Sequence, residues 1–233
     1  MFKRLFPFFL GIYFHFAGFC HAAIIYSNYD FGDAYNVGVG LLLNQGRPQC
    51  GGCLQESINI DVANAFTPSG TDFILERVEL TVGLLAGPNQ IDLFITTSGP
   101  DNKPLSIVET FHIEGAMSPY TDAFRPPLMA ISSLHPILNS GTQYWLLAAL
   151  TGPDAAAGWF FESMNKGGFQ AVRCEGDSEA LEGCAPQARG DWFVVNQPIR
   201  NAFRITGTPI PEPGTLLLLI LGLGSLTAWK CRG

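Results

Sequence analysis

Apolar and polar residues alternate in short runs along most of the chain, and glycine, proline, asparagine and aspartate separate the runs. Val78 and Leu80 lie on one parity of such a run. Phe73 and Leu75 lie on the opposite parity, so we expect a β-bulge near Glu76 that brings all four side chains to one face. Helical periodicity is nearly absent, and the pattern therefore predicts an all-β protein.

Several further runs predict strands. Residues 91–96 and 107–113 alternate clearly, with Gly-Pro-containing turn signals on either side of the first run. Other strands are predicted at 144–150, 159–163, 191–195 and 202–206, each bounded by glycine or proline. Eight to ten short strands at this spacing are typical of a β-sandwich. We expect buried positions in the sandwich for Trp145 and Trp159, because each stands among apolar residues.

The two ends of the chain differ from this pattern. Lys3 and Arg4 precede an apolar stretch over 5–19 and a small-residue site, which predicts a signal peptide over residues 1–22. Near the other end, 214–229 is an apolar segment whose helix would be about 24 Å long, against about 30 Å for the hydrocarbon core. The sequence therefore predicts an exported domain over 23–207, a Pro-rich linker over 208–213, a short transmembrane helix over 214–229 and a basic cytoplasmic tail over 230–233.

The C-terminal segment has a recognisable order. Pro211, Glu212 and Pro213 precede a Gly-Thr pair, a run rich in leucine and glycine, and a basic terminus. This order resembles the PEP-CTERM sorting tail of Gram-negative bacteria. The resemblance implies recognition by an exosortase, a transient stay in the inner membrane, a cut near the triplet and release to the cell surface or the extracellular space. The alternative is an ordinary membrane anchor.

The central part of the chain resembles a second family, the choice-of-anchor R type domain. The resemblance depends on strand and turn residues between 65 and 162, among them Ala65-Phe66-Thr67-Pro68-Ser69, Ile91-Asp92-Leu93-Phe94 and Gly141-Thr142-Gln143-Tyr144-Trp145. It implies a jelly-roll-like β-sandwich and no defined activity. The segment around Cys50 and Cys53 and the insertion over 173–189 depart from that family.

The charge of the exported part argues against some partners. Between residues 23 and 207 there are nine Lys or Arg against nineteen Asp or Glu, a formal charge of −10, whereas the whole chain has −7. A domain this acidic is a poor partner for nucleic acid and for anionic membrane surfaces.

Four cysteines fall in the exported part, which enters an oxidising compartment. Cys50, Cys53, Cys174 and Cys184 allow three pairings, of which we favour the two local bonds, Cys50–Cys53 and Cys174–Cys184, over the crossed ones. A redox Cys-x-x-Cys and a zinc site are alternatives, but the glycines between Cys50 and Cys53 disfavour the first, and the wide spacing of the second pair disfavours the other.

Four carboxylates form a candidate calcium site. Glu175, Asp177, Glu179 and Glu182 lie between two cysteines, where oxygen ligands could hold calcium, although a solvated acidic hairpin fits the spacing better. No other cofactor is indicated.

No catalytic constellation stands out. His112 and His135 are the histidines of the exported domain, and both are expected at the surface. Trp192 follows a glycine turn and is the candidate for an exposed ring that stacks on sugars.

These patterns leave three hypotheses for function. The first is a noncatalytic surface or matrix protein that binds exopolysaccharide. The second is a secreted carbohydrate-active enzyme, which needs two facing carboxylates such as Asp92 and Glu109. The third is a calcium-stabilised adhesion module.

Overall fold

The computed structural model describes residues 22–47, 57–122, 126–176 and 184–211. Within these ranges the chain forms two packed β-sheets and two short 3-10 turns, Phe31–Asp33 and Pro186–Ala188. The strands are β1 (Ala23–Ser27), β2 (Asn36–Gln45), β3 (Ile58–Phe66), β4 (Phe73–Leu80), β5 (Val82–Ala86), β6 (Gln90–Ser98), β7 (Pro104–Glu114), β8 (Ser118–Pro119), β9 (Leu128–Ile131), β10 (Ile137–Leu138), β11 (Tyr144–Leu150), β12 (Ala155–Phe161), β13 (Gly168–Gly176), β14 (Phe193–Gln197) and β15 (Phe203–Pro209).

The strands are shared unequally between the sheets. The smaller sheet has the order β1-β15-β4-β10, with β9 also paired to β4. The larger sheet has the order β7-β6-β11-β3-β2-β12-β5-β8. In the same sheet, β13 pairs with both β3 and β14. The short β5–β8 pair is parallel, and the other strand pairs are antiparallel. The all-β sandwich is thus confirmed, while the jelly-roll-like connectivity stays a prediction.

The predicted bulge in β4 is confirmed. In β15, Thr206 pairs with Arg77, and the next residue, Gly207, pairs with Leu75. Glu76 is therefore an extra residue in β4. The extra residue reverses the parity of the strand, so that Leu75 and Val78 both lie in the core with no exposed surface.

The main core lies between the two sheets. Trp159 and Phe203 are fully buried there, with their rings 6.3 Å apart in an edge-to-face arrangement. A second, smaller cluster lies on the outer face of the larger sheet and contains Ala63, Ala65, Trp145, Leu147, Ala171 and Trp192. Both tryptophans expected in the interior, Trp145 and Trp159, are buried, although they belong to different clusters.

Buried amides connect the sheets near the start of β15. The side chain of Asn201 accepts hydrogen bonds from Asn64 and Gln170 and donates one to the backbone oxygen of Trp159 at 2.5 Å. Asn28 donates to the backbone oxygen of Asn201 at 2.8 Å. Because buried amides are costly when unpaired, this network favours one arrangement of β3, β12, β13 and β15.

The fold continues further toward the C-terminus than the sequence predicts. Pro209 still pairs with Phe73 in the sheet, and its lack of an N–H is tolerated at a strand end. Beyond the strand, Ile210 N donates to the backbone oxygen of Asp72 at 2.8 Å, and Thr71 Oγ1 donates to Ile210 O at 2.6 Å. The first half of the predicted linker is therefore part of the sandwich.

Both predicted targeting segments fall outside the described residues, apart from residue 22. Within the described ranges, no helix has the length and hydrophobicity needed to cross a membrane.

Candidate functional site

A groove of about 250 Å³ lies on the outer face of the larger sheet. Phe94 from β6 and Leu147 and Ala149 from β11 form its floor, and Leu105 and Ile107 from β7 form one wall. The other wall is Trp192, and Asp61 and Arg173 form a polar end. We call these residues the outer groove.

The alternation of side chains along β6 and β11 explains which residues form the floor of the outer groove. In β6, Leu93 and Ile95 are fully buried in the main core, so Phe94 between them points to the opposite face of the sheet. In β11, Leu146 and Ala148 point into the same core, and Leu147 therefore also points outward. The outer groove thus has an apolar floor with one aromatic ring.

The polar end is a cross-strand ion pair. Arg173 lies directly opposite Asp61, and its Nη2 donates to Asp61 Oδ2 at 2.7 Å. Its Nη1 lies 3.3 Å from a carboxylate oxygen of Glu175. Burial raises the pKa of Asp61, and the hydrogen bond and charge of Arg173 oppose this rise. Arg173 is therefore held between two carboxylates.

A salt bridge holds the loop that carries Trp192. Lys103, in the turn between β6 and β7, donates to Asp191 at 2.5 Å. This hydrogen bond is the main cause of a lowered pKa for the Asp191 carboxyl. The other oxygen of Asp191 accepts from the backbone N–H of Trp192 at 2.7 Å. These contacts fix the position of the indole relative to β6 and β7.

Trp192 differs from its predicted role as an open platform. Only 9% of its surface is exposed, because it packs in the cluster that contains Trp145 and Ala171. The guanidinium carbon of Arg173 lies 5.0 Å from the centre of the indole ring, at cation–π distance. Trp192 therefore borders the outer groove as a wall, and no pattern in the sequence indicates the loop contacts that bury it.

Two other cavities have different linings. One of about 310 Å³ lies beside β2, β3, β13 and β14 and is lined mainly by apolar side chains. Another of about 530 Å³ lies between β7 and β9, where His112 and Ser133 both contribute to the lining. His112 Nδ1 lies 2.8 Å from Asp92, but the hydroxyl of Ser133 donates to Glu109. No hydrogen bond joins His112 to Ser133 within the described ranges.

The structure does not bring Asp92 and Glu109 together as a facing pair. Asp92 lies opposite His112 on the outer face of the β6–β7 pair, whereas Glu109 points inward and is 1% exposed. Glu109 accepts hydrogen bonds from Ser132 Oγ at 2.7 Å and from the backbone N–H groups of Ser133 and Leu134 at 2.7 and 3.1 Å. This carboxylate therefore anchors the segment between β9 and β10.

The other candidate residues lie near the far end of β13. Cys174 and Cys184 form a disulfide with their Cα atoms 6.5 Å apart, while Cys50 and Cys53 lie outside the described residues. Of the four proposed calcium ligands, Glu175 pairs with Arg173, and the other three, Asp177, Glu179 and Glu182, lie outside the described residues. No group of three or more potential metal ligands occurs in the part of the chain that is described.

The C-terminal motif follows directly after the sandwich. Pro211 is exposed, and Glu212 and Pro213 lie outside the described residues. Residues 209–232 match the PEP-CTERM protein-sorting motif. The motif implies processing by an exosortase and export to the cell envelope or surface.

The PEP-CTERM match covers the tail and assigns no activity to the sandwich. It begins at Pro209, the last residue of β15, so the matched segment overlaps the end of the fold. Neither the search of curated proteins nor the search of solved structures found a match. The resemblance of the central part to the choice-of-anchor R type domain therefore stays a prediction.

Proposed function

We propose that this protein is a noncatalytic display protein that exosortase sorts to the cell surface or the extracellular matrix of a Gram-negative bacterium. The match of residues 209–232 to the PEP-CTERM motif carries this proposal. The predicted signal over 1–22 starts export, and the apolar segment over 214–229 holds the chain in the inner membrane until the cut. A helix over this segment would be about 24 Å long, which is short for a permanent anchor.

We further propose that the displayed sandwich binds exopolysaccharide in the outer groove. Pyranose rings have apolar C–H faces, which pack well on aromatic and aliphatic side chains such as Phe94, Leu105 and Ile107. Sugar hydroxyls donate hydrogen bonds, and ionised Asp61 at the polar end is an acceptor. The outer groove combines these two kinds of surface, and the Lys103–Asp191 salt bridge links the loop of Trp192 to the turn between β6 and β7.

Sorting can be tested in the native host. The full chain should lose its C-terminal tail in a strain with exosortase and keep it in a strain without the enzyme. A variant with both Pro211→Ala and Glu212→Ala should keep the tail in both strains. Equal tail removal in the strain that lacks the enzyme would contradict the proposal.

Ligand binding can be tested with matched phenylalanine variants. The full chain in a nonionic detergent is titrated with exopolysaccharide purified from the host. Phe94→Ala should weaken binding about fivefold, equivalent to about 1 kcal/mol from one aromatic contact. Phe31→Ala is the control, because Phe31 is 97% exposed and does not line the groove. Equal affinities for the two variants would contradict binding in the outer groove.

A further inference from the structure

We propose that the outer groove selects neutral, hydroxyl-rich polysaccharides and discriminates against polymers of uronic acids. This inference rests on the polysaccharide binding proposed above and adds the chemical class of the ligand. The selectivity depends on the ion pairs that Arg173 and Lys103 already form with protein carboxylates.

Both terminal nitrogens of the Arg173 guanidinium already face protein carboxylates. Its Nη2 donates to Asp61 at 2.7 Å, and its Nη1 lies 3.3 Å from Glu175. Its Nε is buried, and one face of the guanidinium lies over the ring of Trp192. A carboxylate on a ligand would therefore approach a cation whose charge Asp61 and Glu175 already offset, and it would lie close to both of these carboxylates.

The second cation, which lies beside the groove, is also paired. Lys103 lies 2.5 Å from Asp191, and this contact holds the loop of Trp192. Two cations therefore stand against three carboxylates, those of Asp61, Glu175 and Asp191. The local excess of negative charge has the same sign as the exported domain as a whole, so an approaching polyanion meets repulsion at short and long range.

A neutral sugar uses the same side chains favourably. Ionised carboxylates accept hydrogen bonds and do not donate them, which suits the hydroxyl groups of a sugar and not the carboxylate of a uronic acid. Glu175 is about half exposed, so its free lone pairs can accept from a ligand without loss of its contact to Arg173. Phe94 and Leu147 supply the apolar floor for the ring face.

The test uses matched pairs of polysaccharides that differ only at C6, where a neutral hydroxymethyl group replaces the carboxylate. Polygalacturonate and alginate are each compared with their carboxyl-reduced neutral forms, using the full chain in a nonionic detergent. We expect the neutral member of at least one pair to bind tenfold or more tightly than its acidic counterpart at low salt. Salt screens charge repulsion, so the difference should narrow at high salt.

Two variants with the same change of net charge locate the effect. Glu175→Gln removes a carboxylate that contacts Arg173 at the polar end of the groove and leaves Arg173 with one carboxylate partner, so binding of the acidic polymers should improve severalfold. Glu114→Gln removes one from an exposed position at the end of β7, outside the groove, and should leave the preference almost unchanged. Equal effects of the two variants would overturn the assignment of selectivity to the groove.

Different results would contradict the selectivity for neutral polymers and the binding of polysaccharide itself. Acidic polymers that bind as tightly as their neutral forms, or more tightly, would overturn the inference and leave polysaccharide binding in place. Binding of neither member of either pair would contradict polysaccharide binding itself, and the inference would fail with it.

Discussion

Replacement of Thr71 by valine should make exosortase remove the C-terminal tail faster. The PEP triplet starts at Pro211, and the residue before it is still held by the sandwich. Ile210 accepts a hydrogen bond from Thr71 Oγ1 at 2.6 Å and donates one to Asp72 O at 2.8 Å. Proteases act on exposed segments free of such backbone hydrogen bonds, so we expect the cut to require local opening at Ile210.

The size of the effect follows from the hydrogen bond that is lost. A neutral hydrogen bond contributes about 0.5 to 1.5 kcal/mol net, and valine keeps the shape of threonine while it removes the hydroxyl. If reclosing is faster than cleavage, the rate of cleavage tracks the population of the open form. Thr71→Val should therefore raise the rate of tail removal roughly two- to tenfold.

The assay is a pulse–chase in the native host, with precursor and mature chain separated on a gel. Thr121→Val is the matched control, because Thr121 is exposed in the turn after β8. A second variant inserts Gly-Ser-Gly-Ser between Ile210 and Pro211, which moves the triplet away from the fold and should also speed processing. Wild-type rates in both Thr71→Val and the insertion variant would refute the reasoning.

Three further predictions concern stability and titration. Replacement of both Cys174 and Cys184 by alanine should cost about 3 kcal/mol, from the sequence separation of 10, and lower Tm by about 6 to 12 °C in calorimetry. Glu109→Gln should destabilise the fold by about 1 to 3 kcal/mol in urea unfolding, since its carboxylate accepts several buried donors; an unchanged midpoint would contradict this. Since burial raises the pKa of Asp61 in the folded state, Asp61 contributes stability below its ordinary pKa of 3.8 and loses this contribution as pH rises through the folded-state pKa. Asp61→Asn should remove that part of the pH dependence of Tm, and Arg173→Gln should raise the pKa of Asp61 further in an NMR titration.

The strands that the sequence predicts best are those with a clear alternation. The predicted strand over 144–150 coincides with β11, and the change of parity before Val78 revealed the bulge at Glu76. Strand β12 begins at Ala155, four residues before the predicted strand. Its first three residues are fully buried alanines, and a uniform run of small apolar residues has no period of two to detect.

Most of the outer groove could not be predicted from the sequence. The glycine turn before Trp192 marks it as a candidate, but its contacts come from distant parts of the chain. Asp61 and Arg173 meet because β3 and β13 pair in one register, and a single-residue slip would send one of them to the other face. One signal was available, since Asp61 is the one charged residue in the otherwise uncharged segment that forms β3. Its partner could not be found without the strand order.

The intact mass of the protein recovered from the surface of its native host tests the central claim most directly. We predict that the mature chain lacks residues 214–233 and that this loss depends on exosortase. A surface-exposed chain that keeps the whole segment would contradict sorting through the PEP-CTERM motif and would indicate a permanent anchor.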